Sequence, residues 1–452
     1  MPWRELLRDA AARAERHLET QRERRVAPEP AAVRGLARWD EPLPDDPCDP
    51  AEVLRLLDDV GSPATLAIGG PRFFGFVMGG ALPVTVASSW LATAWDQNSG
   101  LHAITPVTAE LERVSLGWLV DVLGLPAGTA AGFVTGATVA NMTALAGGRH
   151  AVLRDAGWDV EADGLFGAPP ITVVVGEEAH PTVVKSLGVL GLGRKRVVTV
   201  PTDAQGRMRV DAFPSLEGPS IVCLQAGNLN TGAFDPLAEL VPRAKERGAW
   251  VHVDGAFGLW AQASPRLAHL SRGIELADSW ATDAHKWLNV PYDSGLAFCR
   301  DTEALRSAMN VRAAYLPSGG VRDPSDFTPE LSRRGRGVEV WAAMRALGRS
   351  GLASMFERNC DQARRFAEGL AKAGHEVLND VVLNQVLVSF GEPEETRRVI
   401  AAVQEEGTCW VGPTVWHGRT AMRISICCWA TTDPDVDRSL DSMLRAASAV
   451  RV

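Results

Sequence analysis

Lys286 stands in the segment Asp283-Ala-His-Lys-Trp287, where a lysine is hard to account for by structure alone. Its neighbours Trp280, Trp287, Leu288 and Val290 are apolar, and it follows Ala277–Thr282, a run that reads as the end of a strand. A lysine ammonium is rarely buried without a partner. Loss of water lowers the pKa of such an amine and frees its lone pair to attack an aldehyde. About thirty residues upstream, Ala249-Trp-Val-His-Val-Asp-Gly-Ala256 carries an apolar strand straight into a carboxylate, Asp254. A buried lysine and a carboxylate at the ends of neighbouring strands are the pair that pyridoxal phosphate requires. The amine binds the cofactor's aldehyde carbon, and the carboxylate keeps its pyridine nitrogen protonated.

Two further features suit the same group. Gly132-Phe-Val-Thr-Gly-Ala-Thr-Val-Ala-Asn141 leads from an apolar stretch into a helix. The backbone N–H groups of Ala137 and Thr138, with the Thr138 hydroxyl, would face a dianionic phosphate at the helix start. The same pattern also serves an ordinary capped helix. Ala256, two residues after Asp254, faces the same side of an extended chain, and its methyl leaves room for a flat ring.

These residues need a scaffold, and the chain has the length for one. Its 452 residues exceed one compact core and imply two or three domains. Hydrophobic residues at 46% and charged residues at 22% are ordinary for a soluble globular enzyme. No apolar run approaches the roughly 20 residues needed to span a bilayer, and the charged N-terminus does not read as a secretory signal. A net charge of −9 argues against nucleic acid as a partner. The seven cysteines are scattered, without zinc spacing. Reduced thiols and a cytoplasmic location are the default reading.

Residues 1–25 read as a helix with a thin apolar stripe, and the prolines from Pro28 to Pro50 as a linker. Ile171–Val175, Ser220–Leu224, Trp250–Val253 and Leu296–Cys299 read as buried strands separated by stretches long enough for crossover helices. That alternation predicts an α/β domain with a largely parallel sheet, ligands lying beyond the carboxyl ends of its strands. Leu316–Ser325 is rich in Gly, Pro and Ser and is expected to act as a lid. A helix over Val338–Ala373, strands over Val381–Phe390 and Ala421–Cys428, and helices over Glu394–Glu406 and Asp433–Ser448 predict an α+β second domain. The expected division is 1–80 as an N-terminal helical arm and linker, 81–305 as the large cofactor-binding domain, and 306–452 as the lid and small C-terminal domain.

Val251-His-Val-Asp-Gly-Ala256 and Asp283-Ala-His-Lys-Trp-Leu-Asn-Val-Pro-Tyr292 resemble the group II amino-acid decarboxylases among fold-type I pyridoxal-phosphate enzymes. The resemblance runs from about Gly70 to the C-terminus. It implies a large domain with a mostly parallel seven-stranded sheet, a small C-terminal domain, and a homodimer with residues of both chains at each site. It implies that His180 stacks on the cofactor ring, although a capping histidine would fit the same loop. It places His285 near phosphate and substrate, and puts Asp283 where the family often has Asn. A carboxylate there would repel phosphate, so Asp283 has no firm role. Asn228 and Asn230 stand where relatives more often show threonines, and either binds cofactor or substrate or simply forms an Asn/Gly turn. Val139 replaces an acidic residue usual in the phosphate turn.

By the same resemblance, Tyr315 matches the lid tyrosine that returns a proton to Cα. A phenol, neutral at pH 7, suits that task. Relatives that make aldehydes typically have Phe there, so Tyr favours simple decarboxylation. Ser332 matches a residue that reaches the neighbouring subunit's phosphate, with Arg333 beside it as a structural ion pair. Phe73, Phe74, Phe76, Trp95 and Tyr292 fall in segments that line the substrate cleft of relatives, implying an aromatic or other apolar L-amino acid. Val77-Met-Gly-Gly80 departs from the stretch that meets the substrate carboxylate in aromatic-acting members. The rival readings are other pyridoxal-phosphate chemistry (oxidative deamination, aminotransfer, carbon–carbon cleavage) and a non-enzymatic cofactor-binding regulator.

Overall fold

The computed structural model describes residues 3–310 and 321–450. The chain forms two compact units. One comprises Ala81–Arg364 and Asn379–Gln385; the other comprises Met1–Gly80, Arg365–Leu378 and Val386–Val452.

The large unit is built on seven strands: β1 (Ala130–Val134), β2 (Thr172–Gly176), β3 (Val198–Val200), β4 (Ser220–Gln225), β5 (Trp250–Asp254), β6 (Ser279–Asp283) and β7 (Gly295–Cys299). Their order is β1-β7-β6-β5-β4-β2-β3. From β3 to β6 neighbours run parallel, and β7 is antiparallel to both β6 and β1. Strands β4 to β7 are nearly continuous buried runs, as expected of strands covered on both faces. This is the mainly parallel α/β sheet that the sequence predicts.

Helix Ala137–Asp155 packs across β5, β6 and β7. Small residues allow this. Ala140 and Ala144 bury against Val134, Ala281 and Ala297, and a Cβ on Gly148 would come within 2.8 Å of the Trp250 indole. The close approach fixes the helix over the sheet with its first residue, Ala137, at the carboxyl ends of β5 and β6. The register completes the positioning. Gln225 of β4 pairs with Asp254 of β5, and Asp283 of β6 pairs with Gly295 of β7.

Three fully buried tryptophans hold β6 and its flanking turns. Trp260 donates its indole N–H to Asp283 O, Trp280 to Ile274 O and Trp287 to Asn359 Oδ1, each at 2.9 Å. Pairing the indole N–H lets each ring bury its full apolar area. Removing such a ring costs about 3–5 kcal/mol.

The other unit holds β8 (Glu376–Val377), β9 (Gln385–Ser389), β10 (Gly412–Trp416) and β11 (Arg419–Ser425), in the order β10-β11-β9-β8. Helices Pro393–Glu406 and Asp433–Val450 pack together beside it. The N-terminal helix spans Trp3–Thr20 and buries none of its residues.

Several boundaries differ from expectation. Pro30 and Pro50 do not punctuate a linker; each opens a helix at its first position, where a missing N–H costs nothing. The strand expected to reach Cys428 ends at Ser425. The long helix Gly337–Lys372 is broken at Gly348, whose φ of 58° and ψ of −177° are non-helical. Residues 321–364 cluster with the large unit, which therefore extends beyond 305. Among the described residues no helix is long and apolar enough to cross a membrane.

Candidate active site

Strand β5 delivers Asp254 to the carboxyl edge of the sheet, 4% exposed. Its Oδ1 accepts the N–H of Ala256 at 3.2 Å. Burial pushes the carboxyl group above its usual range, and the charges of His180 and Lys286 pull it back. Asp254, His180 and Gln225 line one cleft together with Glu178, Cys223 and Asp235.

His180 opens helix Pro181–Val189 as its cap. The ring Nδ1 accepts from Thr182 N at 3.3 Å and lies 2.6 Å from Thr182 Oγ1. This fixes one edge of the imidazole while the ring lines the cleft, so capping and facing the site are not alternatives here.

The turn after β6 gathers the second group. Lys286 Nζ lies 3.0 Å from Asp283 Oδ2, with the lysine side chain 20% exposed and the aspartate 3%. Asp283 Oδ1 accepts the N–H of Ala137 at 2.6 Å, at the first residue of the helix that crosses the sheet. His285 Nε2 is 3.5 Å from the same oxygen. His285 Nδ1 accepts from Ser294 N at 3.0 Å, and its ring stacks on Tyr292 at 4.3 Å. Burial lowers the His285 pKa, which keeps the ring neutral. Gly136 and Gly295 let β1 and β7 meet here: a Cβ on Gly295 would lie 2.4 Å from Gly136 Cα.

The structure thus places Asp254 and Ala256 at the carboxyl end of β5, His285 and Lys286 after β6, His180 after β2, and Ala137 at the helix start that follows β1. Thr138 follows Ala137, its carbonyl accepting from Ser186 Oγ at 3.0 Å. Asn228 is committed elsewhere. Its Oδ1 accepts from Asn230 N and Thr231 N, closing its own turn, and its Nδ2 donates to Gln225 Oε1 at 3.1 Å. Gln225 therefore meets the cleft where Asn228 was expected to. Ser332 is exposed and its hydroxyl accepts from Asn98 Nδ2 at 3.3 Å. Arg333 beside it is buried as an ion pair with Glu112, and also donates to Phe133 O at 2.7 Å. Tyr315 lies outside the described residues. Phe73 and Phe76 belong to the other unit, where both stack on Trp410.

Gln225 was missed by sequence reasoning. Its type carries no signal, but it ends a strand beside the strand of Asp254, where a site in such a sheet lies.

Residues 41–391 match the family model described as the pyridoxal-dependent decarboxylase conserved domain. Tryptophan decarboxylase 1 of Oryza sativa subsp. japonica is 27% identical over 396 residues, covering 79% of this chain and 76% of its own. Aspartate 1-decarboxylase of Aliivibrio fischeri is 30% identical over 359 residues, covering 73% and 65%. Among solved structures, an Oryza sativa TDC crystallised with PLP and tryptamine superposes with a TM-score of 0.90 at 21% identity, covering 99% of this chain and 97% of that one.

Proposed function

Since the chain belongs to the pyridoxal-dependent decarboxylase family, we propose that it converts an aromatic or other apolar L-amino acid to its amine and CO₂, as a cytoplasmic homodimer. The broader statement stands on the family itself: the protein is a pyridoxal-phosphate-dependent carboxy-lyase acting on an amino acid.

The residues present fit the cofactor. A buried carboxylate at the end of β5, an amine after β6 and a helix N-terminus at Ala137 lie at one edge of one sheet. Gly136 keeps that helix start clear, because a Cβ there would approach His285 Cε1 to 3.1 Å. Asp254 would hold the ring nitrogen, Lys286 the aldehyde carbon, and Ala137 and Thr138 the phosphate. His180 would cover the ring and Ala256 would lie against it. Gln225, steadied by Asn228, would face the ring's polar edge.

When bound, pyridoxal phosphate supplies an electron-accepting ring that draws electrons from a bond at the substrate's Cα. Asp254 keeps the ring nitrogen protonated and so keeps that acceptor strong. A carboxylate held this deeply is a stronger partner for a pyridinium proton than one in water. His180 and the protein wall exclude water from the bond that breaks. Tyr315 would return a proton to Cα after CO₂ departs. Lys286 would hold the cofactor again once the amine has left.

The observation that carries the reading is the buried Asp254 at the end of β5 with Lys286 on the turn that follows the neighbouring strand β6. The choice of an apolar substrate rests on the tryptophan-acting relative. A screen of the twenty amino acids for CO₂ release, with amine and aldehyde quantified together, tests this. Fastest release from aspartate or glutamate would overturn the substrate choice; oxo-acid or aldehyde without amine would overturn the reaction.

A further inference from the structure

Asp283 ends β6 with 2% of its surface exposed. Its Oδ1 takes the Ala137 N–H at 2.6 Å, and its Oδ2 lies 3.0 Å from Lys286 Nζ. The backbone around it is held independently of the side chain. Its N–H donates to Ala256 O at 2.9 Å, and its carbonyl accepts from Trp260 Nε1 at 2.9 Å. A Cβ on Gly136 would lie 3.4 Å from Oδ1, so no side chain separates helix start and carboxylate. The carboxylate therefore occupies the donor that an incoming phosphate would use.

We propose that Asp283 is an internal anion that competes with the cofactor's phosphate for the N-terminus of helix Ala137–Asp155, and so sets how weakly or tightly the protein takes up its cofactor. This rests on the cofactor reading above. The balance of charge supports it. The Lys286 ammonium faces two carboxylates, Asp283 and Asp254, with His285 kept neutral by burial and Asp293 paired with Arg336 at 2.9 Å. A protonated ring nitrogen offsets Asp254. A phosphate carrying about −1.5 to −2 at pH 7 would share the Ala137 N–H with a carboxylate. Like charges that close repel, and more strongly in a buried site than in water. An asparagine would keep the acceptor for Ala137 N–H and remove the charge.

The test uses the full chain, freed of cofactor by dialysis. It is titrated with pyridoxamine 5′-phosphate and with pyridoxamine, neither of which can join Lys286, and binding is read from quenching of tryptophan fluorescence. Asp283→Asn should tighten pyridoxamine 5′-phosphate by about tenfold and leave pyridoxamine within about twofold. Asp283→Ala, which frees the Ala137 N–H outright, should move in the same direction if Asn disturbs the turn. Unchanged or weaker binding of the phosphorylated probe to both variants overturns the competition, as does equal tightening of both probes. Wild-type protein that binds neither probe nor pyridoxal phosphate overturns the cofactor reading itself.

Discussion

His252 Nε2 and Asn141 Oδ1 meet at 2.8 Å, so strand β5 is bonded through a side chain to helix Ala137–Asp155. The amide oxygen can only accept, so Nε2 carries the proton. Nδ1, 2.9 Å from Ser279 Oγ, then accepts its hydroxyl, and Ser279 Oγ accepts from Trp250 Nε1 at 2.9 Å. Asp254 lies two residues along the strand, and Ala137 one turn back along the helix. The bond thus helps to set the distance between ring carboxylate and phosphate end.

Full burial pushes the His252 imidazole down to about 3. The unfolded chain takes up a proton near 6.5 that the folded chain refuses, so this group costs stability as pH falls from about 6.5 towards 3. Asp235, pushed up to about 6 by burial, acts oppositely: it favours the fold when protonated, and that contribution is lost as pH rises through 6. His252→Leu should cost roughly 2–4 kcal/mol at pH 7, since it strands Asn141 and Ser279. Asp235 is common to both proteins. The difference between their urea-unfolding free energies should therefore shrink on acidification below 6.5, by up to about 1.4 kcal/mol per pH unit. A constant difference from pH 7 to 4 would mean that His252 takes up its proton as readily in the fold as in the unfolded chain.

None of this bond is visible in the sequence, because its partners are 111 residues apart. Lys286 and Asp254 stood out in the sequence because each is a charge set against strand-like apolar neighbours, though the Asp283 partner of Lys286 was not foreseen. The strands were legible for the same reason: burial on both faces writes continuous apolar runs. Asn228 stayed open in the sequence, since its type suits a ligand contact and a turn equally, and in the structure its Oδ1 takes the N–H groups of Asn230 and Thr231. Asp283 gave its type but not its target. That a carboxylate would sit on Ala137 N–H depends on how β6 and the crossing helix meet. Pro30 and Pro50 read as breakers, yet at the first helical position proline starts a helix.

If Lys286 is the cofactor's attachment point, borohydride reduction of the yellow protein followed by peptide mapping should place the pyridoxyl group on the peptide holding Trp287. Lys286→Ala should lose that label and slow amine formation by at least about 10³. A pyridoxyl group on another lysine would remove Lys286 from its assigned role.

Helix Pro83–Trp95 buries only Thr85 and leaves Trp90 48% and Leu91 56% exposed. The N-terminal helix likewise exposes Trp3 and Leu7. Apolar surface on that scale asks for a cover, and a second copy of the chain is the occupant proposed above. Light scattering should give a dimer at assay concentration, and Leu91→Asp should shift it towards monomer, since a carboxylate in an apolar contact loses its water without a partner. Full activity from a monomer would refute shared sites.

Tyr315 is assigned the proton returned to Cα, and its substitution separates that role from packing. Tyr315→Phe keeps the ring and removes only the phenol. Cofactor and substrate binding should stay close to wild type, while amine formation slows by about 10² to 10⁴, the usual weight of one general acid. Electron density left waiting at Cα is open to oxygen, so aldehyde, ammonia and peroxide should rise as amine falls. A role in packing alone would lower amine and aldehyde together. Measured in one assay, the ratio of the two products therefore decides. An unchanged amine yield from the Phe variant would return the acid's role to His180 or to a bound water.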